Sequence, residues 1–215
     1  MDIISFLFSF ILHIDEHLIE IIAIFGYWTY IILFLIIFVE TGIVIFPFLP
    51  GDSLLFASGT FAALGSLHLP IIILVFISAA IIGDAVNYFI GQKIGGSVVE
   101  HQRLGRLINK EKMQVAEEFF NRHGGKTIVI ARFMPFIRTF APFVAGASGM
   151  NYRLFAIYNV IGAILWVFIC TFAGYLFGNL PIIENNFSIV ILLIIFISVL
   201  PAIFSFVKSK LASSN

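Results

Sequence analysis

The sequence predicts an all-α integral membrane protein, with about four transmembrane helices and two oppositely oriented re-entrant hairpins arranged as an inverted repeat. Three observations carry that prediction. Sixty per cent of the 215 residues are hydrophobic and only 11% are charged, a balance far outside that of soluble domains. Apolar runs long enough to span a bilayer, about 20 residues each, alternate with apolar runs broken by Pro and Gly. Finally, a broken run carries charge: residues 131–146 set Arg132 and Arg138 among Pro135, Pro142 and otherwise apolar neighbours. Arginine stays ionised, and in hydrocarbon it costs roughly 2.5–3.5 kcal/mol. Broken backbone at membrane depth is tolerated only inside protein or beside a water-filled cavity. Such an element suits an anion or a counter-charge.

Residues 1–17 read as an N-terminal interfacial segment. Its apolar part, Ile3–Leu12, is too short to span. Asp2 rather than a basic region precedes it and no small-residue cleavage site follows, so no cleavable signal is expected. Residues 18–208 form one membrane domain and 209–215 a tail. Leu18–Val39 is the first span, with Glu40 at its end. Residues 41–64 are interrupted by Gly42, Pro47, Pro50, Gly51, Asp52 and Gly59, which predicts the first re-entrant hairpin. Pro70–Phe89 is the second span and carries Asp84 and Asn87.

Residues 91–126 are the one extended hydrophilic stretch, a loop holding Lys93, Arg103, Arg106, Lys110, Lys112, Arg122 and Lys126. Within it, Asn109–Phe120 has helical spacing and is expected on the membrane surface. The second hairpin covers 127–150, and further spans run over Arg153–Phe177 and Phe187–Val207. The basic loop and the tail with Lys208 and Lys210 predict a cytoplasmic side for both, and both termini inside.

The two halves echo each other. Pro47-Phe-Leu-Pro50 with Ala57-Ser-Gly59 is matched by Pro135-Phe-Ile-Arg138 with Ala147-Ser-Gly149. Tyr88-Phe-Ile-Gly91 is matched by Tyr175-Leu-Phe-Gly178. Inverted repeats with interrupted segments place a site near the membrane midplane, where those segments meet. The first hairpin brings the carboxylates Glu40 and Asp52, the second the guanidiniums of Arg132 and Arg138.

These motifs also carry a resemblance. Glu40 with Pro47-Phe-Leu-Pro-Gly-Asp52, Gly83-Asp84 with Tyr88 and Gly91, and Arg132-Phe-Met-Pro-Phe-Ile-Arg138 stand in this order. Pro142, Ala145-Gly146, Met150, Phe155, Asn159, Gly162 and Trp166 follow. Together they resemble the DedA family of bacterial membrane proteins from about residue 26 to residue 178, with every charged position kept. The resemblance implies lipid transport across the cytoplasmic membrane, notably of undecaprenyl phosphate, coupled to proton motive force. It also implies kinship with eukaryotic lipid scramblases.

Arginine's planar fork of donors fits a phosphate bidentately, so Arg132 and Arg138 are the expected phosphate ligands, converging on one cavity across the broken segment. The alternative is a buried ion pair with Glu40 or Asp52 that staples the hairpins. Both arrangements can alternate in a cycle. Glu40 and Asp52 are the expected proton-coupling groups, since a carboxylate held between burial and a guanidinium is poised to change protonation. Asp52 can instead serve only to cap a helix. Asp84 and Asn87 are expected as supporting polar groups that bond a hairpin, while Trp166 and Tyr175 read as packing or interface anchors.

Other chemistry is excluded or unsupported. Gly51-Asp-Ser-Leu54 spells a serine-lipase signature, yet no histidine follows His123 to act as its base. His13, His17, His68, His101 and His123 lack metal-ligand spacing, and the lone Cys170 reads as a core residue. No cofactor is expected. The Arg103–Lys112 cluster reads as a topology signal rather than a nucleic-acid site. Gly174 and Gly178 form a small-xxx-small spacing that packs helices within one chain or between chains, leaving an oligomer possible.

The expectation is therefore a non-enzymatic transporter of a lipid phosphate in the bacterial inner membrane, working with protons and membrane lipids. An uncoupled phospholipid scramblase and a polyprenyl-diphosphate phosphatase are the alternatives.

Overall fold

The computed structural model describes residues 24–43, 51–100, 124–134, 137–178 and 180. Every regular element among them is a helix: α1 (Trp28–Gly42), α2 (Gly51–Ala63), α3 (Leu69–Glu100), α4 (Lys126–Ala131), α5 (Ile137–Ala147) and α6 (Tyr152–Phe177). The spans expected over Pro70–Phe89 and Arg153–Phe177 fall on α3 and α6. Both helices are long and apolar enough to cross a membrane, over Leu69–Lys93 and Tyr152–Phe177. Their outer faces stay apolar: Leu74 and Ile82 on α3, and Ile157, Ile161 and Ile169 on α6, are exposed. That is the dress of a helix that meets lipid rather than water.

Three boundaries differ from the sequence expectation. The first span does not run unbroken over Leu18–Val39, because Gly26 takes a left-handed φ of +49° and starts a turn. Helix α1 begins after it and runs on to Gly42, so Glu40 and Thr41 lie inside its last turn. The hydrophilic loop does not open at Gly91, since α3 continues to Glu100; Gln92 and Lys93 are good helix formers and no proline intervenes. In the segment expected as the second hairpin, α4 ends at Ala131 and α5 begins at Ile137, while Pro142 sits inside α5. There it leaves the carbonyl of Arg138 without the usual backbone donor four residues on. Expectations for residues 1–17, Pro47, Pro50, Asn109–Phe120, Pro135, Phe187–Val207, Lys208 and Lys210 fall outside the described residues.

The chain forms two compact units. The first comprises Pro50–Leu74 with the flanking segments up to Leu33 and from Phe168; the second comprises Phe34–Leu49 and Val75–Val167. In the first unit α2 crosses the end of α6 with backbone against backbone. A Cβ on Gly59 would fall on the carbonyl oxygen of Thr171, and one on Gly174 would fall on that of Phe56. Thr60 Oγ1 seals the crossing by donating to the carbonyl of Gly174 at 3.1 Å.

In the second unit α5 crosses α3 in the same way. A Cβ on Gly146 would meet the carbonyl of Tyr88, and one on Gly91 that of Phe143. Both units thus make the same glycine-to-carbonyl contact, in a different register from the sequence match. Gly59 corresponds to Gly146, not Gly149, which ends α5 with a φ of +72°. Gly91 corresponds to Gly174, not Gly178. Gly174 and Gly178 both pack on α2 of their own chain, at Phe56 and Thr60.

Candidate functional site

Three helices of the second unit insert polar groups into apolar stripes. On α3, Asp84, Asn87, Tyr88 and Gly91 follow the spacing of one helix face; on α6, Phe155, Asn159, Gly162 and Trp166 do the same; on α1, Ile37 stands with Glu40 and Thr41. All of the polar members are buried. A buried polar group costs free energy unless it is bonded; the hydroxyl of Thr41 donates within its own helix to the carbonyl of Ile37 at 2.9 Å, and the others find partners beyond their own helix.

Arg132 caps the C-terminus of α4. Its Nη2 donates to Oδ2 of Asp84 in a buried ion pair and to Oδ1 of Asn159 at 2.6 Å. Asn159 is itself fixed, because its Nδ2 donates to the carbonyl of Ile81 at 3.1 Å. Gly162, one turn along α6, leaves room for the arginine: a Cβ there would stand 3.4 Å from Nε of Arg132. Among the described residues Nη1 of Arg132 is buried without a hydrogen-bond partner.

Arg138, in the first turn of α5, donates from Nη2 to Oε1 of Glu40. Asn87 ties the backbones beside this pair. Its Nδ2 donates to the carbonyl of Thr41 at 3.2 Å and to that of Thr139 at 2.7 Å, the neighbours of Glu40 and Arg138. One amide group on α3 thereby holds both elements that carry the ion pair.

Trp166 completes the site. The guanidinium carbons of Arg132 and Arg138 lie 5.8 and 5.6 Å from its ring centroid, within cation–π range. Of the two readings of Trp166, packing or interface anchor, its burial agrees with packing, and it stands as a wall of the charged cavity. The aromatic face lets two like charges share one region at reduced cost.

Glu40, Thr41, Asp84, Ile128, Arg132, Arg138, Thr139 and Trp166 line a cavity of about 10 Å³. That is room for one water at most, far less than a phosphate group needs. The four charged side chains are nearly sealed from solvent, at 4% exposure for Arg132, 7% for Asp84, 10% for Arg138 and 1% for Glu40. Their formal charges sum to zero. This is a closed, ion-paired arrangement.

Of the residues singled out from sequence, Glu40, Asp84, Asn87, Arg132 and Arg138 meet in this unit. Asp52 belongs to the other unit, within the first turn of α2, where an acidic side chain suits the helix dipole. Ser53 of the lipase-like signature is buried in the same helix. Sequence reasoning gave Asn159 no role of its own. The signal was present, since an amide inside a spanning helix invites the same question as Asp84.

Comparison with known proteins identifies the family of the chain. The VTT domain model matches residues 49–176. Protein DedA of Escherichia coli (strain K12) is 48% identical over 217 aligned residues, covering 100% of this chain and 99% of its own length. A membrane protein of Mycobacterium leprae is 41% identical over 78% of this chain and 75% of its own. The inner membrane protein YqjA of E. coli is 38% identical over 71% and 69%. No solved structure matches. With a full-length relative at that identity and a domain match over more than half its residues, the chain belongs to the DedA family of VTT-domain membrane proteins.

Proposed function

We propose that this protein moves a lipid phosphate across the bacterial cytoplasmic membrane, with both its termini in the cytoplasm, and that the movement is coupled to protons. Undecaprenyl phosphate is the lipid that the family resemblance favours. The observation that carries the reading is the meeting of Arg132 and Arg138 over one indole ring, each neutralised by a buried carboxylate. Two guanidinium forks on one cavity match the oxygens of a phosphate headgroup, while the lipid tail stays in the bilayer.

The small cavity supports an order of events in this reading. A phosphate cannot occupy space for one water, so the ion pairs open as the headgroup arrives. Arg138 exchanges the carboxylate of Glu40 for phosphate oxygens, and Glu40, left buried without its cation, takes a proton. Asp52, on α2 of the other unit, is a further proton-coupling group in this reading. Release on the far side returns the proton and re-forms the pair. The chemistry is translocation, with no bond of the lipid made or broken.

The test is movement of labelled undecaprenyl phosphate in proteoliposomes, with and without an inward-acid pH gradient, for wild type and Arg138→Ala. Movement that depends on Arg138 and responds to the gradient is expected. Movement indifferent to the gradient would make the protein an uncoupled scramblase. Movement unaffected by Arg138→Ala would remove the assignment of the site.

A further inference from the structure

The carboxylate of Asp84 stands in the same electrostatic position as that of Glu40, although its sequence context marks it only as a supporting group. Both are buried, both are paired with an arginine of the cavity, and both line that cavity. We infer that Asp84 is a second proton-accepting group of the site, so that a doubly charged phosphate headgroup is occluded together with two protons, one on Glu40 and one on Asp84. The inference rests on the phosphate-site reading above and adds to it a stoichiometry and a residue.

Charge has to balance inside a sealed space. With its two ion pairs formed, the cavity carries no net charge. A phosphate monoester above its second pKa, about 6, brings nearly two negative charges. A buried, uncompensated charge is strongly unfavourable, so admission of the dianion demands two positive charges from elsewhere. Neither arginine can gain a proton. The groups facing Asp84 are Arg132 at the end of α4, Asn159 on α6 and, across the shared cavity, Glu40 on α1 and Arg138 on α5. Among them only the two carboxylates can accept protons, which reach them from bulk water.

The hydrogen bonds around Arg132 are built for such a change. Its Nη2 has one acceptor that titrates, Asp84, and one that does not, Asn159. Asn159 is held by the carbonyl of Ile81, so it keeps the guanidinium in place when Asp84 becomes neutral. Nη1, buried and without a hydrogen-bond partner among the described residues, is then the donor that the incoming oxygen takes. A purely structural Asp84 would need neither arrangement.

Calorimetric binding of farnesyl phosphate to the detergent-solubilised full chain tests this, at pH 8 in buffers of different ionisation enthalpy. The slope of apparent enthalpy against buffer enthalpy counts the protons taken up. For wild type we expect about two per headgroup, and about one for Asp84→Asn and for Glu40→Gln alike. A wild-type value of one or less overturns the inference, and that reading needs no variant to fold. An Asp84→Asn protein that still takes up as many protons as wild type overturns it too. Absence of farnesyl phosphate binding by wild type would sink the phosphate site itself, and this inference with it.

Discussion

Gly91 on α3 and Phe143 on α5 meet with no side chain between their backbones: a Cβ at Gly91 would overlap the carbonyl of Phe143. This contact, with Gly146 against Tyr88 on the same crossing, sets how closely α5 approaches α3. That spacing brings Thr139 within reach of Asn87, and Arg138 with it. Gly91→Ala and Gly146→Ala should each lower stability by about 1–3 kcal/mol through overpacking. Thermal unfolding in detergent measures it, and an unchanged midpoint would contradict the close approach.

The pairing of Arg132 with Asp84 predicts a strong thermodynamic coupling. Arg132→Ala leaves a buried carboxylate without its cation, a loss of about 3–5 kcal/mol. Adding Asp84→Ala should recover part of that loss, because the uncompensated charge is gone. Recovery stays partial, since Asn159 also loses its donor. Strict additivity in the double-mutant cycle would show that the two residues do not interact.

Trp166 should serve both as a support and as a reporter. Trp166→Phe keeps an aromatic face under the guanidiniums and should retain most lipid movement; Trp166→Leu removes it, at about 0.5–2 kcal/mol per contact. The chain has two tryptophans, and Trp28 is 66% exposed. In a Trp28→Phe background the emission therefore comes from the cavity wall alone. Addition of lipid phosphate should shift it, and no shift at saturating lipid would place binding elsewhere.

Asn87 makes a pH-dependent prediction. Asn87→Asp replaces two amide hydrogens with a carboxylate facing the carbonyls of Thr41 and Thr139. Each buried acceptor left unsatisfied costs about 1–3 kcal/mol. A protonated acid can restore one of the two bonds, so the deficit against wild type should shrink as pH falls. Denaturant unfolding at pH 8 and pH 5 gives the comparison. A deficit that does not shrink at pH 5 would mean that protonation of the acid restores neither bond.

Much of the site was legible because charge is rare in this chain. Each ionised group inside an apolar run stands out against hydrocarbon, so Glu40, Asp84, Arg132 and Arg138 could be named individually. Partner choice was not legible. Asp84 was expected to bond a hairpin, and its bond to Arg132 fits that, but nothing along the chain says which carboxylate faces which arginine. Asn159 and Trp166 escaped for a related reason: an amide or an indole in a spanning helix has several ordinary uses, and only its neighbours decide among them.

The sequence by itself determined the class: a helical membrane protein with charged, interrupted segments, because hydrophobicity and backbone bonding act locally and are written residue by residue. The tertiary structure alone decided that the two ion pairs share one wall of indole, and that the cavity between them is closed. It also decided which glycines make the same contact in the two units. Gly146 rather than Gly149 answers to Gly59, since close approach of two helices depends on which atoms face each other across the crossing. That is a property of packed surfaces, and no single segment contains it.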